Sequence, residues 1–189
     1  HIIVTTPQSG LFRCGGERGG GIAVLLGLAE WAGNRAPNVR YLFSTNTGHE
    51  QNGSGARLLL KTLAPPPKDV IAWLHLGSGV STWQWRSRDD GTFEKFVSAS
   101  GIRNFGAVPE LVPLLKEAFQ SIPSLEPQSR RFAGELGASV RAGYPAFGFW
   151  GYNDFGHTVA DGPEHAAPQL LEPVARSLAQ ALEIMEKRG

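Results

Sequence analysis

Apolar residues recur along this chain with two periods. Four short runs, Ile2 to Thr5, Val39 to Ser44, Val70 to Leu76 and Pro145 to Trp150, are mostly apolar and rich in β-branched or aromatic residues. They predict buried strands. Between them apolar positions return every three or four residues. Ile22, Leu25, Leu26 and Ala29 form one helical face, and a second helix is predicted over 54–63, stopped by Pro65-Pro66-Pro67. Leu111, Leu114, Leu115 and Ala118 mark a third helix over 109–120, and 134–142 a short fourth. Leu171, Val174, Ala175, Leu178, Leu182 and Met185 stripe a last helix over roughly 169–188.

The polar stretches supply the connections. Pro7 to Gly21 holds Gly10, Gly15, Gly16, Gly19, Gly20 and Gly21, and predicts a loop. Within Val80 to Val97, Asp90-Gly91 between two aromatic-rich runs predicts a hairpin. Pro123 to Arg131 reads as a polar connection, and Gly151 to Pro163 as a loop holding His157 and Asp161. Strands alternating with helices predict an α/β fold, a three-layer α/β/α sandwich around a mostly parallel sheet. No repeat, low-complexity tract or linker divides the chain, so one domain is expected over 1–189.

The 189 residues suffice for one substantial core. A net charge of +1, spread along the chain, gives no footprint for nucleic acid or an anionic membrane, and neither is expected as a partner. No run of 18 apolar residues occurs, so no membrane span is expected, nor is a signal peptide apparent. Cys14 is the only cysteine and forms no internal disulfide, which leaves the compartment open. The chain begins at His1, directly in a strand-like run. The expectation is a processed or trimmed piece, with an upstream segment or a partner chain completing the sheet.

In an open α/β sheet, ligands bind at the carboxyl ends of the strands. The stretch Thr45 to Ala56, which contains His49 and Glu50, follows a predicted strand. Glu17, His75 and His157 occupy similar positions at other strand ends. Imidazole and carboxylate are the usual zinc ligands, but these are scattered, so they make a site only if the fold gathers them. Other signals carry less. Gly15 to Gly21 lacks the Lys-Ser/Thr of a phosphate-binding loop. Asn52-Gly53-Ser54 is a formal glycosylation acceptor inside the candidate loop. Cys14 has no flanking base and reads as structural. Ser9, Ser44 and Ser54 lack a nucleophile-elbow context.

The order of these elements resembles the co-catalytic zinc aminopeptidase family, which includes bacterial leucyl aminopeptidases, glutamate carboxypeptidases and glutaminyl cyclases. Gly16-Glu17-Arg18-Gly19-Gly20-Gly21-Ile22-Ala23 resembles its glycine-rich helix opening. Gly48-His49-Glu50-Gln51-Asn52-Gly53-Ser54-Gly55-Ala56 resembles its Glu-Glu-x-Gly element, and Trp73-Leu74-His75-Leu76-Gly77 its third ligand strand. Gly156-His157-Thr158-Val159-Ala160-Asp161 resembles its late His-Thr-x-x-Asp, and Ala142 to Ala146 its Gly-x-Pro-Ala motif. The resemblance covers almost the whole chain, without the family's first strands. It implies a hydrolase acting on the amide or peptide bond of a small substrate.

The departures are specific. The family's first histidine falls near Thr5-Thr6-Pro7, its bridging Asp on Glu17, its general-base Glu on His49, and its third-strand carboxylate on His75. Only Glu50 and His157 match in kind. The resemblance therefore implies at most one zinc, held by Glu17, Glu50 and His157 with His75 in support, and the second metal site lost. His49 would act as base, with Glu50 beside it, Trp150 and Tyr152 lining the pocket, and Asp161 orienting the loop or the His157 ring. The alternative is a degenerate site without metal, in a metal-independent enzyme built on His49, His75 and Glu50, or in a non-catalytic binding or partner subunit.

Overall fold

The computed structural model describes residues 1–96, 103–122, 125–129, 132–151 and 153–187. Val97, Pro123, Arg130, Arg131 and Tyr152, which fall in elements or roles assigned above, lie outside them.

A five-stranded sheet runs through the centre, in the order β2 (Tyr41–Asn46), β1 (Ile2–Pro7), β3 (Ala72–Leu76), β7 (Ala146–Gly151) and β6 (Arg103–Ala107). The first four are mutually parallel and β6 is antiparallel to β7. Alternation along each strand sends residues to two covered faces. Ile2, Val4, Leu74, Leu76, Phe147 and Phe149 pack against α1 (Gly15–Gly33), α3 (Val112–Ala118) and α5 (Leu171–Glu186). Ile3, Trp73 and Ala146 pack on the opposite face, where Leu59 of α2 (Ser54–Thr62) and Leu136 of α4 (Gly134–Arg141) close the layer. The result is the expected three-layer α/β/α sandwich. β4 (Gln84–Ser87) and β5 (Phe93–Phe96) form the separate hairpin.

Three elements differ from the sequence reading. The glycine-rich stretch is not all loop: from Gly15 onward it is the first two turns of α1. A Cβ at Gly15 would meet the Gly162 carbonyl carbon at 2.6 Å, and one at Gly21 would meet Thr6 Oγ1 at 2.7 Å. Glycine costs about 1 kcal/mol per helical position relative to alanine, but only glycine lets the helix start this close to neighbouring chain. β2 runs two residues further than the 39–44 reading because it pairs in full register with β1, from Ile2 opposite Tyr41 to Pro7 opposite Asn46. β6 was not anticipated. Phe105 is the one bulky apolar residue in Arg103-Asn104-Phe105-Gly106-Ala107, and it packs at 4.4 Å, ring centre to ring centre, on Phe149 of β7. No helix of the described residues is long and apolar enough to cross a membrane.

Candidate functional site

Because four strands are parallel, their carboxyl ends share one edge of the sheet, and the segments that follow them meet there. After β1 comes the start of α1, with Glu17 and Arg18. After β2 come His49 and Glu50, and after β7 the loop carrying His157.

The start of α1 is fixed by a residue far away in sequence. Asp161, fully buried, accepts hydrogen bonds from Gly16 N at 2.9 Å and Glu17 N at 3.1 Å, and its carbonyl accepts Gly15 N at 2.9 Å. Asn153 Nδ2 donates to the same carboxylate at 2.6 Å. Asp161 thus caps the helix, where the N-terminal dipole and free amides favour an anion. It does not meet the His157 ring: its carboxylate is spent on the first amides of α1 and on Asn153.

Glu17, Glu50 and His157 are brought together. Each offers one ligating atom, all within 4.8 Å of one another. His157 Nε2 lies 3.3 Å from Glu17 Oε1 and 3.6 Å from Glu50 Oε1. His157 holds a φ of 62°, in the left-handed region uncommon for a residue with a side chain. Its imidazole is half exposed, whereas Glu17 is buried.

A cation of the chain's own already stands among them. Arg18 Nη2 lies 2.9 Å from Glu17 Oε1 and donates to Glu50 Oε1 at 3.0 Å, with the side chain only 2% exposed. Its Nε donates to Ser9 O at 2.9 Å. Guanidinium stays protonated in proteins, so it compensates the two carboxylates without titrating. Distances between donors alone would suit one ion. However, the two carboxylate oxygens nearest His157 are those Arg18 holds, and a divalent cation there would sit against a buried guanidinium. An ion there would require Arg18 to release both carboxylates. Glu17 Oε2 and Arg18 Nη1 are both buried without a hydrogen-bond partner among the described residues.

His75 lies apart from this cluster. It is buried in β3, with Nδ1 3.2 Å from Thr5 Oγ1, and Thr5 Oγ1 also accepts Trp73 Nε1 at 2.9 Å. Burial lowers its pKa to about 4, outweighing the opposite pull of Glu135, so the ring is neutral at pH 7. Thr5, within the Thr5-Thr6-Pro7 stretch that the resemblance sets against the family's first histidine, is engaged in these contacts.

His49 faces a second carboxylate, Glu135, in the first turn of α4. His49 Nδ1 lies 2.9 Å from Glu135 Oε1, and Asn46 Nδ2 donates to Glu135 Oε2 at 3.2 Å. Burial pushes the Glu135 carboxyl up, but the hydrogen bond from His49, the neighbouring His75 ring and the hydrogen bond from Asn46 together outweigh it, and its pKa is lowered from the usual carboxylate value. An ionised Glu135 places the His49 proton on Nδ1 and leaves Nε2 as the basic nitrogen. His49 lines two cavities. One, about 450 Å³, is also bordered by Glu17, Ser78, Trp150, Asn153 and His157. The other, about 460 Å³, is bordered by Asn52, Arg57, Glu135, Ala138 and Arg141. Cys14 stays a thiol at neutral pH, since burial and the Glu17 charge raise its pKa.

Arg18 and Glu135 are the site residues the sequence reading missed. A signal for Arg18 existed: a charged pair, Glu17-Arg18, in an otherwise glycine and apolar helix start. For Glu135 none did, because an acid in a first helical turn is common on exposed surfaces.

No protein-family profile matches the chain, and no curated protein does. Among solved structures it is similar to a zinc aminopeptidase from Bacillus subtilis, with a TM-score of 0.76 and 16% identity over 97% of this chain and 45% of that one. It is similar to a glutaminyl cyclase from Bacteroides thetaiotaomicron, with a TM-score of 0.68 and 10% identity over 95% of this chain and 71% of that one. A Zn-dependent exopeptidase from Parabacteroides distasonis gives 0.68 and 11%, over 97% and 72%. The fold is that of these zinc aminopeptidases and glutaminyl cyclases. The chain spans less than half the length of the Bacillus subtilis aminopeptidase.

Proposed function

We propose that this chain is a metal-independent hydrolase of amide or peptide bonds on an aminopeptidase-type fold, with Arg18 as the resident cation of its strand-tip site. The observation that carries this reading is Arg18 Nη2 at 2.9 and 3.0 Å from Glu17 and Glu50, the carboxylates that a metal would need. The base is His49. With Nδ1–H donated to Glu135, Nε2 takes a proton from water as the water oxygen attacks the amide carbon. The same proton then passes to the leaving nitrogen as the C–N bond breaks, giving a carboxylic acid and an amine. Glu135 orients the ring and stabilises the imidazolium, as a buried carboxylate does in a catalytic triad. Glu50, bound to Arg18, is not free to act as a base.

A second reading, one zinc on Glu17, Glu50 and His157, rests on the 4.8 Å spread of their ligating atoms. It requires Arg18 to give up both carboxylates. The test is elemental analysis of protein produced with added zinc, together with hydrolysis of a panel of aminoacyl amides and dipeptides with and without chelator. The expected result is no stoichiometric metal, and turnover that resists chelator and is lost in His49→Asn. One zinc per chain with chelator-sensitive turnover establishes the second reading. No turnover on any substrate removes both and leaves a non-catalytic binding role.

A further inference from the structure

The second cavity beside His49 shares only His49 and Glu135 with the chemistry above, and its other walls are unusual. Arg57, on α2, and Arg141, at the end of α4, both border it and are both exposed. Neither forms an ion pair among the described residues. Arg57 donates only to the Asn52 carbonyl, and Arg141 Nη1 folds back over Gly137, 3.1 Å from where a Cβ there would lie. The carboxylate that also borders the pocket, Glu135, is turned inward: both its oxygens are engaged by His49 and Asn46, and its side chain is 5% exposed. Gly53 and Gly134, at the starts of α2 and α4, complete the rim, so two helix N-termini add partial positive charge. A cavity of about 460 Å³ with two unpaired guanidinium groups and no outward carboxylate is built to hold a small anion.

We infer that this cavity is a carboxylate-binding subsite, which selects ligands bearing a carboxylate a short distance from the amide presented to His49. The placement of that amide rests on the hydrolase reading; the subsite itself does not. A carboxylate reaches the two arginines either as the C-terminus of a short peptide or as an acidic side chain, and the chemistry of recognition is the same.

Calorimetric titration of the full chain at low salt with three probes tests this. N-acetyl-glycylglycine offers only a terminal carboxylate, N-acetyl-glutamic acid α-amide only a side-chain carboxylate, and N-acetyl-glutamine amide neither. At least one of the first two binds saturably and the third does not; which one binds identifies the source. Arg57→Gln and Arg141→Gln each weaken that binding about tenfold or more, the worth of a charge-assisted hydrogen bond. Arg141→Lys, which keeps the charge, weakens it less. Equal binding of the neutral probe, no binding of either carboxylate, or affinity unchanged in both glutamine variants overturns the inference. Binding is read without turnover. A chain that holds carboxylates but hydrolyses nothing leaves the subsite standing and removes the catalytic reading.

Discussion

Two carboxylate centres stand near His49, one bordering each of its two cavities, and they are compensated differently. At Glu17 and Glu50 the partner is Arg18, a charge that never titrates, buried on the sheet edge. At Glu135 the partners are an imidazole and an amide, His49 and Asn46. The first arrangement fixes charge in place, with one guanidinium nitrogen shared between two carboxylates. The second pairs a carboxylate with an imidazole, which can either give or take a proton. Residue types alone, histidine and glutamate at strand tips, do not separate the two; the partner of each carboxylate does.

The comparison breaks most visibly at Arg18. Arg18→Met leaves two buried or half-buried carboxylates uncompensated, and we expect a loss of about 3–5 kcal/mol in denaturant unfolding, the usual cost of removing one partner of a buried pair. Adding Glu17→Gln to that variant recovers part of the loss, because the deepest uncompensated charge is then gone.

On the other side, His75 sets a pH limit. Its folded pKa is depressed from 6.5 to about 4. As pH falls through that interval the unfolded chain takes a proton that the folded chain refuses, so its contribution is present above about pH 6.5 and lost towards pH 4. The loss is worth about 3 kcal/mol in full. Denaturant midpoints of wild type and His75→Gln across this range check it, and the variant is expected to show the shallower pH slope.

Asp161→Asn comes next. It removes the anion from the first amides of α1, and a fall of about 1–2 kcal/mol is expected, in the range of a lost cap with its dipole interaction. Release of the α1 start also loosens Glu17 and Arg18, so the variant shows faster amide exchange over residues 15–21. The smallest effect belongs to the exposed pair Arg176–Glu172 on α5, 2.7 Å apart and one helical turn from each other. Arg176→Ala changes stability by about 0.5 kcal/mol or less.

Much of the scaffold was legible in the sequence. The continuous β-branched run at Ile2 to Thr5 and the helical stripe from Leu171 to Met185 are both strong signals, and both elements lie where the sequence puts them. Glu17, Glu50 and His157 meet because four parallel strands end on one edge, which the alternation of strand and helix implies. Other features were hidden for physical reasons. The glycines of α1 oppose a helix by propensity and are there for close approach, which only the three-dimensional neighbours reveal. The antiparallel strand β6 has a single bulky apolar residue to announce it. The partners that decide the chemistry, Arg18 for two carboxylates and Glu135 for His49, make three contacts, and two of them are long-range: Arg18 is adjacent only to Glu17. His75 reads from sequence like a ligand, yet a bond to Thr5 and complete burial make it a neutral core residue.

The central proposal, that Arg18 and not a metal ion compensates Glu17 and Glu50, is most directly tested by anomalous scattering at the zinc edge from crystals grown with zinc. No peak is expected between Glu17 and Glu50, with Arg18 Nη2 about 3 Å from an oxygen of each, a normal charge-assisted hydrogen-bond length. A peak about 2 Å from those oxygens, with Arg18 turned away, would contradict it.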